Sequence, residues 1–185
     1  MKRTHRSLSK RLLLAAGIIV LVLAVGAGAF FWYVSDYYRA QDTALEVLAQ
    51  GTGISARDGL TILSPSYATD TALIFYPGAK VEAEAYLPLL DPIRSKGVTC
   101  ILVHMPFHMA IFDPGAAEDV IRQFPQIRHW YLAGHSMGGA MASKFAAEHP
   151  DMVEGLILLG AYLYGDYPAE DTLLSLIHIS EPTRP

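Results

Sequence analysis

A chain of 185 residues has room for one folded domain with a buried core plus a short appendage. Hydrophobic residues make up 52% of it and the mean hydropathy is +0.28, so one segment is expected in lipid rather than water. The net charge of -4 argues against a nucleic-acid partner, and the lone cysteine, Cys100, excludes an intramolecular disulfide and a cysteine-based zinc site.

Residues 1–11 form a basic flank in which Lys2, Arg3, Arg6, Lys10 and Arg11 stand without an acidic neighbour. Residues 12–34, LLLAAGIIVLVLAVGAGAFFWYV, carry no charge. At about 1.5 Å per residue they reach across a hydrocarbon core of about 30 Å as one transmembrane helix. The basic flank keeps the N-terminus cytoplasmic and sends the rest of the chain outward, as in a single-pass cell-membrane protein. Phe30, Phe31, Trp32, Tyr33, Tyr37 and Tyr38 gather at the outer boundary, where aromatic rings favour the interface. The alternative is a signal peptide cleaved at Ala27-Gly28-Ala29, which leaves a secreted protein. The apolar run continues to Val34, past that site, and favours an uncleaved anchor.

Residues 35–56 read as a linker with some helical pattern, Ala44, Leu45, Leu48 and Ala49 falling on one face. From residue 57 to 173, short apolar runs alternate with helical stretches, the pattern of βαβ units and a mostly parallel sheet flanked by helices. The predicted strands are Leu60 to Leu63, Ala72 to Tyr76, Val98 to Val103, Trp130 to Ala133 and Leu156 to Leu159. Between them Glu82 to Lys96, Ala116 to Phe124 and Gly139 to His149 have helical spacing, the last stopped by Pro150. Cys100 lies within a predicted strand and reads as core packing.

One motif carries chemistry. Gly134-His135-Ser136-Met137-Gly138 is a G-x-S-x-G sequence set directly after a strand and directly before a helix. In such an elbow Gly134 and Gly138 are needed where a side chain would strike neighbouring backbone, and the Ser136 hydroxyl projects as a nucleophile. The free N–H groups of the following helix favour negative charge, making Met137 N–H a first oxyanion donor. A second donor is expected from the loop Pro77-Gly78-Ala79-Lys80 after the strand Ala72 to Tyr76, from Ala79 or Gly78 and preferably Ala79.

With these residues in place the chain resembles the α/β-hydrolase superfamily, and more narrowly its dienelactone-hydrolase-like group, known as α/β-hydrolase fold-5. The matching segments are LIFYPGAKVEAEAY, ILVHMPFHMAIF, WYLAGHSMGGAMASKFAAEHP and GLILLGAY. The resemblance implies a partial α/β-hydrolase fold with a serine nucleophile, an oxyanion hole, no metal or organic cofactor, and a small ester, thioester or related acyl substrate. It also implies a catalytic acid and a histidine after later strands, for which the chain has no matching sequence beyond Leu159. A hydrolase lacking both is expected to be inactive or nearly so. A non-catalytic binding module of the same fold and an acyltransferase are the alternative functions.

Residues 174–185 read as a non-native tail, since LSLIHISEPTR is similar to a translation of an adapter used in transposase-based sequencing libraries. His178 therefore receives no role, and the sheet is expected to end in an unprotected edge beyond Leu159. His104 and His108 follow the strand ending at Val103 and are candidates for the substrate pocket, because sites in open parallel sheets lie beyond the carboxyl ends of strands. His135 is expected to pack beside Ser136, and Asp166 to be a turn residue.

Overall fold

The structure is a computed structural model that describes residues 4–50, 52–164 and 173–177. Asp166 and His178 lie outside the described residues. The chain divides into two units, Met1–Asp36 and Tyr37–Pro185. The first is a single helix, α1 (Thr4–Ser35), whose Arg11–Ser35 stretch has a mean hydropathy of 2.7 and is exposed along most of its length. By length and composition that stretch is able to cross a bilayer.

The second unit holds a seven-stranded sheet among the described residues. Its strands are β1 (Ile54–Arg57), β2 (Leu60–Leu63), β3 (Thr71–Tyr76), β4 (Thr99–Val103), β5 (His129–His135), β6 (Gly155–Leu159) and β7 (Leu173–Ile177). They run side by side in the order β1-β2-β4-β3-β5-β6-β7. β1 and β2 are antiparallel to each other, β2 is antiparallel to β4, and every pair from β4 to β7 is parallel. Parallel neighbours require crossovers, and these are supplied by α3 (Leu87–Ser95), α4 (Ala116–Gln123) and α5 (Met137–Glu148).

Alternation along the strands assigns each helix its face. In β3, Ala72, Ile74 and Tyr76 join the core under α4 and α5, with Val120, Phe124, Met141 and Phe145. Leu73 and Phe75 point the other way, toward Leu87 and Leu90 of α3. Both faces of the central strands are therefore covered, which is why β3 and β4 read as continuous apolar runs. Cys100 is fully buried in the second cluster, and burial pushes its thiol up to about 12, so it remains protonated and inert.

The structure refines or corrects four sequence expectations. Residues 35–56, read as a linker with some helical pattern, carry a helix and from Tyr37 onward are hydrogen-bonded to the second unit. Tyr38 N–H donates to the Lys80 carbonyl at 2.8 Å and Glu82 N–H to the Tyr38 carbonyl at 2.8 Å, while α2 (Asp42–Gln50) buries Ala44. β1 also lies partly inside that segment. The helix expected over Glu82 to Lys96 is split into a 3-10 turn, Ala83–Tyr86, and α3. Pro88, near the start of α3, has no N–H to give to the preceding turn. Finally, β6 is not the last strand, because Leu173–Ile177 pairs with it in parallel, Leu156 opposite Leu174 and Leu158 opposite Leu176.

Candidate active site

Ser136 sits where β5 ends and α5 begins, with φ 51° and ψ -122°. A left-handed φ at a residue with a side chain costs about 1–3 kcal/mol, so the surroundings must impose it. They do so from both sides. Ser136 N–H donates to the Leu159 carbonyl at 3.0 Å, and the Ser136 carbonyl accepts Ala140 N–H at 3.1 Å in the first turn of α5. The flanking glycines make the bend tight enough. A Cβ on Gly134 would lie 2.6 Å from the Gly138 carbonyl carbon, and one on Gly138 would lie 2.2 Å from the Pro77 carbonyl oxygen. The Ser136 side chain is exposed, whereas Gly134, Gly138 and Gly139 are buried beneath it.

The loop after β3 comes against this bend, through the close approach of Pro77 and Tyr76 to Gly138. Its amides are unequally committed. Gly78 N–H donates to Tyr86 Oη at 3.0 Å, and Lys80 N–H donates to the His108 carbonyl at 2.8 Å. Gly78, one of the two expected oxyanion donors, therefore already has an acceptor, and the other candidate, Ala79, lies between two committed amides. Met137 is the first residue of α5, where a backbone N–H has no partner within the helix.

Tyr86 ties this loop to the elbow. Its hydroxyl accepts from Gly78 and lies 2.8 Å from His135 Nδ1, leaving its own proton to be donated to that nitrogen. This bond favours the His135 tautomer protonated on Nε2. Burial raises the Tyr86 hydroxyl above the ordinary tyrosine value, with the Gly78 hydrogen bond opposing, so it stays protonated. Sequence reasoning gave Tyr86 no role, because its two partners lie 8 and 49 residues away along the chain. Tyr76 performs a second fastening: Oη donates to the Pro114 carbonyl at 3.1 Å and accepts Ala117 N–H at 2.7 Å, fixing the start of α4 to the end of β3.

His104 and His108 lie beyond β4 as expected, but each is engaged. His104 Nε2 is 2.8 Å from Thr61 Oγ1 and 3.2 Å from Glu84 Oε1. His108 stacks on Tyr37 with ring centroids 4.0 Å apart. Its burial holds the imidazole below its ordinary value, more than Glu82 and Glu84 restore. Among the described residues no group of three or more His, Cys, Asp or Glu side chains is arranged to hold a metal ion.

An exposed serine on a strained strand-to-helix turn, at the carboxyl end of a parallel sheet covered on both faces, is the signature of a hydrolase-type α/β fold. A sequence profile of the Alpha/beta hydrolase family matches residues 72–180, and the chain belongs to that family. It is 30% identical over 113 residues to a "putative non-heme haloperoxidase" of Mycobacterium phage D29, the match covering 56% of this chain and 41% of the phage protein. The chain thus spans less than half the length of that curated relative. Among solved structures it is similar to Est1E from Butyrivibrio proteoclasticus, with a TM-score of 0.50, 21% identity and coverage of 60% of this chain and 51% of the other. It is also similar to a bacterial membrane phospholipase A, with a TM-score of 0.47, 27% identity and coverage of 87% and 54%.

Proposed function

We propose that this chain is the nucleophile-bearing part of a membrane-anchored serine hydrolase that acts on an ester, thioester or related acyl substrate. The observation that carries this is the backbone of Ser136, held at φ 51° and ψ -122° with its side chain exposed between β5 and α5. A turn that costs about 1–3 kcal/mol and is enforced by three buried glycines has a ready purpose in presenting an oxygen nucleophile.

In this reaction Ser136 Oγ gives its proton to a general base and attacks the acyl carbon. The carbonyl oxygen becomes an oxyanion that the Met137 and Ala79 amides stabilise. The bond to the leaving alcohol or thiol breaks as that group takes up a proton. Water then attacks the acyl-serine, releasing the carboxylic acid and restoring the hydroxyl. We assign the base, a histidine, and its supporting carboxylate to a longer form of the protein, in keeping with a curated relative of which the match spans 41%. Without that base the hydroxyl is weakly nucleophilic, so these 185 residues alone are expected to hydrolyse esters very slowly. α1 serves as the anchor, N-terminus inside, with the hydrolase domain outside the cytoplasm.

The test is turnover of a short-chain p-nitrophenyl ester by the longer form. Ser136→Ala is expected to lower kcat/KM by at least about a thousandfold. A variant that retains wild-type activity refutes the role of Ser136.

A further inference from the structure

The turn after β4 reads Met105-Pro106-Phe107-His108-Met109-Ala110-Ile111-Phe112 and carries no full charge. Phe107, Ile111 and Phe112 are 42%, 55% and 48% exposed, and the two phenylalanine rings meet edge to face at 5.5 Å. The turn is a fixed feature. Phe107 and His108 both take left-handed backbone, at φ 53° and 55°, held by His108 N–H to the Met105 carbonyl and Met109 N–H to the Pro106 carbonyl, each at 3.0 Å. Beneath the exposed rings Met109 and Ala110 are buried, and the Ala110–Phe112 stretch packs against α5. A rigid projection of three large apolar side chains is unusual on a domain surrounded by water.

This turn adjoins both the proposed oxyanion loop and the strap that follows α1. The His108 carbonyl accepts Lys80 N–H, next to Ala79, and the His108 ring stacks on Tyr37. Tyr38 is bonded on both sides to Lys80 and Glu82, and Ala40 N–H donates to Glu82 Oε2 at 2.6 Å. The apolar run of α1 ends at Val34. At no more than about 3.6 Å per residue, the chain from Val34 to Tyr38 spans at most about 14 Å. With α1 in a bilayer, connectivity alone therefore holds Tyr38, and the turn beside it, within reach of the headgroup layer.

We propose that Phe107, Ile111 and Phe112 form a membrane-docking surface that inserts into the outer leaflet of the bilayer spanned by α1. The mouth of the site beside Ala79 then opens onto lipid, and the substrates are amphiphiles whose acyl ester is drawn from the bilayer and hydrolysed, water entering as hydroxyl on the acid and hydrogen on the alcohol. Docking rests on α1 as the anchor; the substrate class rests also on Ser136 as nucleophile.

Two measurements separate these. Nitroxides on Phe107→Cys and Ile111→Cys, in the chain reconstituted into phosphatidylcholine and phosphatidylglycerol vesicles, report depth from collision with oxygen against a water-soluble nickel complex. Buried Cys100, with its raised thiol pKa, does not compete for label. Both sites are expected to favour oxygen, as in lipid, while Glu118→Cys on α4 stays water-like. Water-like values at 107 and 111 overturn the proposal, as does exclusion of both reagents, which would mean that protein covers the patch. In the longer form, paired Ile111→Ser and Phe112→Ser substitutions are expected to slow hydrolysis of a vesicle-borne ester about tenfold and leave a soluble short ester unaffected. Equal effects on the two esters overturn the substrate class. Loss of neither ester's turnover in Ser136→Ala refutes the nucleophile while leaving the depth result standing.

Discussion

Replacing Gly138 with Ala tests whether the elbow is as tight as its geometry requires. In the exposed interior of a helix this change is stabilising by about 1 kcal/mol, because alanine loses less backbone entropy. Here the new methyl would lie 2.2 Å from the Pro77 oxygen and 2.3 Å from the Tyr76 oxygen. An ordinary carbon-to-oxygen approach is about 3.3 Å, so a shift of about 1 Å is needed. Both obstacles are backbone, the Tyr76 oxygen in β3, a strand hydrogen-bonded on both sides, and the Pro77 oxygen one residue beyond it, so neither can swing away as a side chain would. Overpacking of this kind costs about 1–3 kcal/mol, which outweighs the propensity gain and reverses the sign. For a domain of this size that corresponds to a fall in Tm of roughly 2–10 °C. Gly115→Ala is the control, since a Cβ there meets nothing within 4 Å. As an N-cap change from Gly to Ala it is expected to cost only about 0.5–1 kcal/mol. Thermal melts of both variants in detergent, followed by circular dichroism, make the comparison. A Gly138→Ala protein that melts at or above the wild-type temperature refutes the tight elbow.

Three further outcomes follow from the same geometry. Tyr86→Phe leaves buried Gly78 N–H without its acceptor and is expected to cost about 1–3 kcal/mol in urea unfolding; in the longer form it lowers kcat more than it raises KM, because the Ala79 amide is no longer held in place. Tyr76→Phe strands Ala117 N–H and the Pro114 carbonyl, with an expected loss of similar size, about 1–3 kcal/mol, read by the same denaturation. His108 has a folded pKa depressed below 6.5 by burial, so its neutral form favours folding. Its contribution is complete above 6.5 and is lost as pH falls through the folded value. An NMR titration of the His108 ring, assigned with His108→Gln, is expected to give a midpoint below 6.5; a midpoint at or above that value contradicts the packing against Tyr37.

The parallel strands and α5 were legible because each combines an apolar run with a clear boundary, and the G-x-S-x-G spacing located the bend at Ser136. β1 was not legible: Ile54–Arg57 is an edge strand exposed along most of its length, so it lacks the apolar alternation that marks a buried one. The strap at Tyr37 to Ala40 binds through backbone amides and a glutamate 42 residues away, which leaves no periodic trace. Residues 174–177 read as part of a non-native tail by their similarity to a translated adapter, yet pairing with β6 asks only for extended backbone and an apolar character that Leu-Leu-Ser-Leu-Ile has. At the site, the motif and its context supply the candidates Ser136, Met137, Ala79 and Gly78, and the strained turn at Ser136 lies where the spacing puts it. That the Gly78 amide already has an acceptor depends on Tyr86, a partner that the folded chain brings near.

The role of Ser136 is tested most directly by treating the longer form with a fluorophosphonate and mapping the adduct by mass spectrometry. Ser136 and Ser143 fall on the same tryptic stretch between Arg128 and Lys144, and fragmentation distinguishes them. A single phosphonyl group on Ser136, absent after Ser136→Ala, is the expected result; no adduct, or one on Ser143 or elsewhere, contradicts the assignment of the nucleophile.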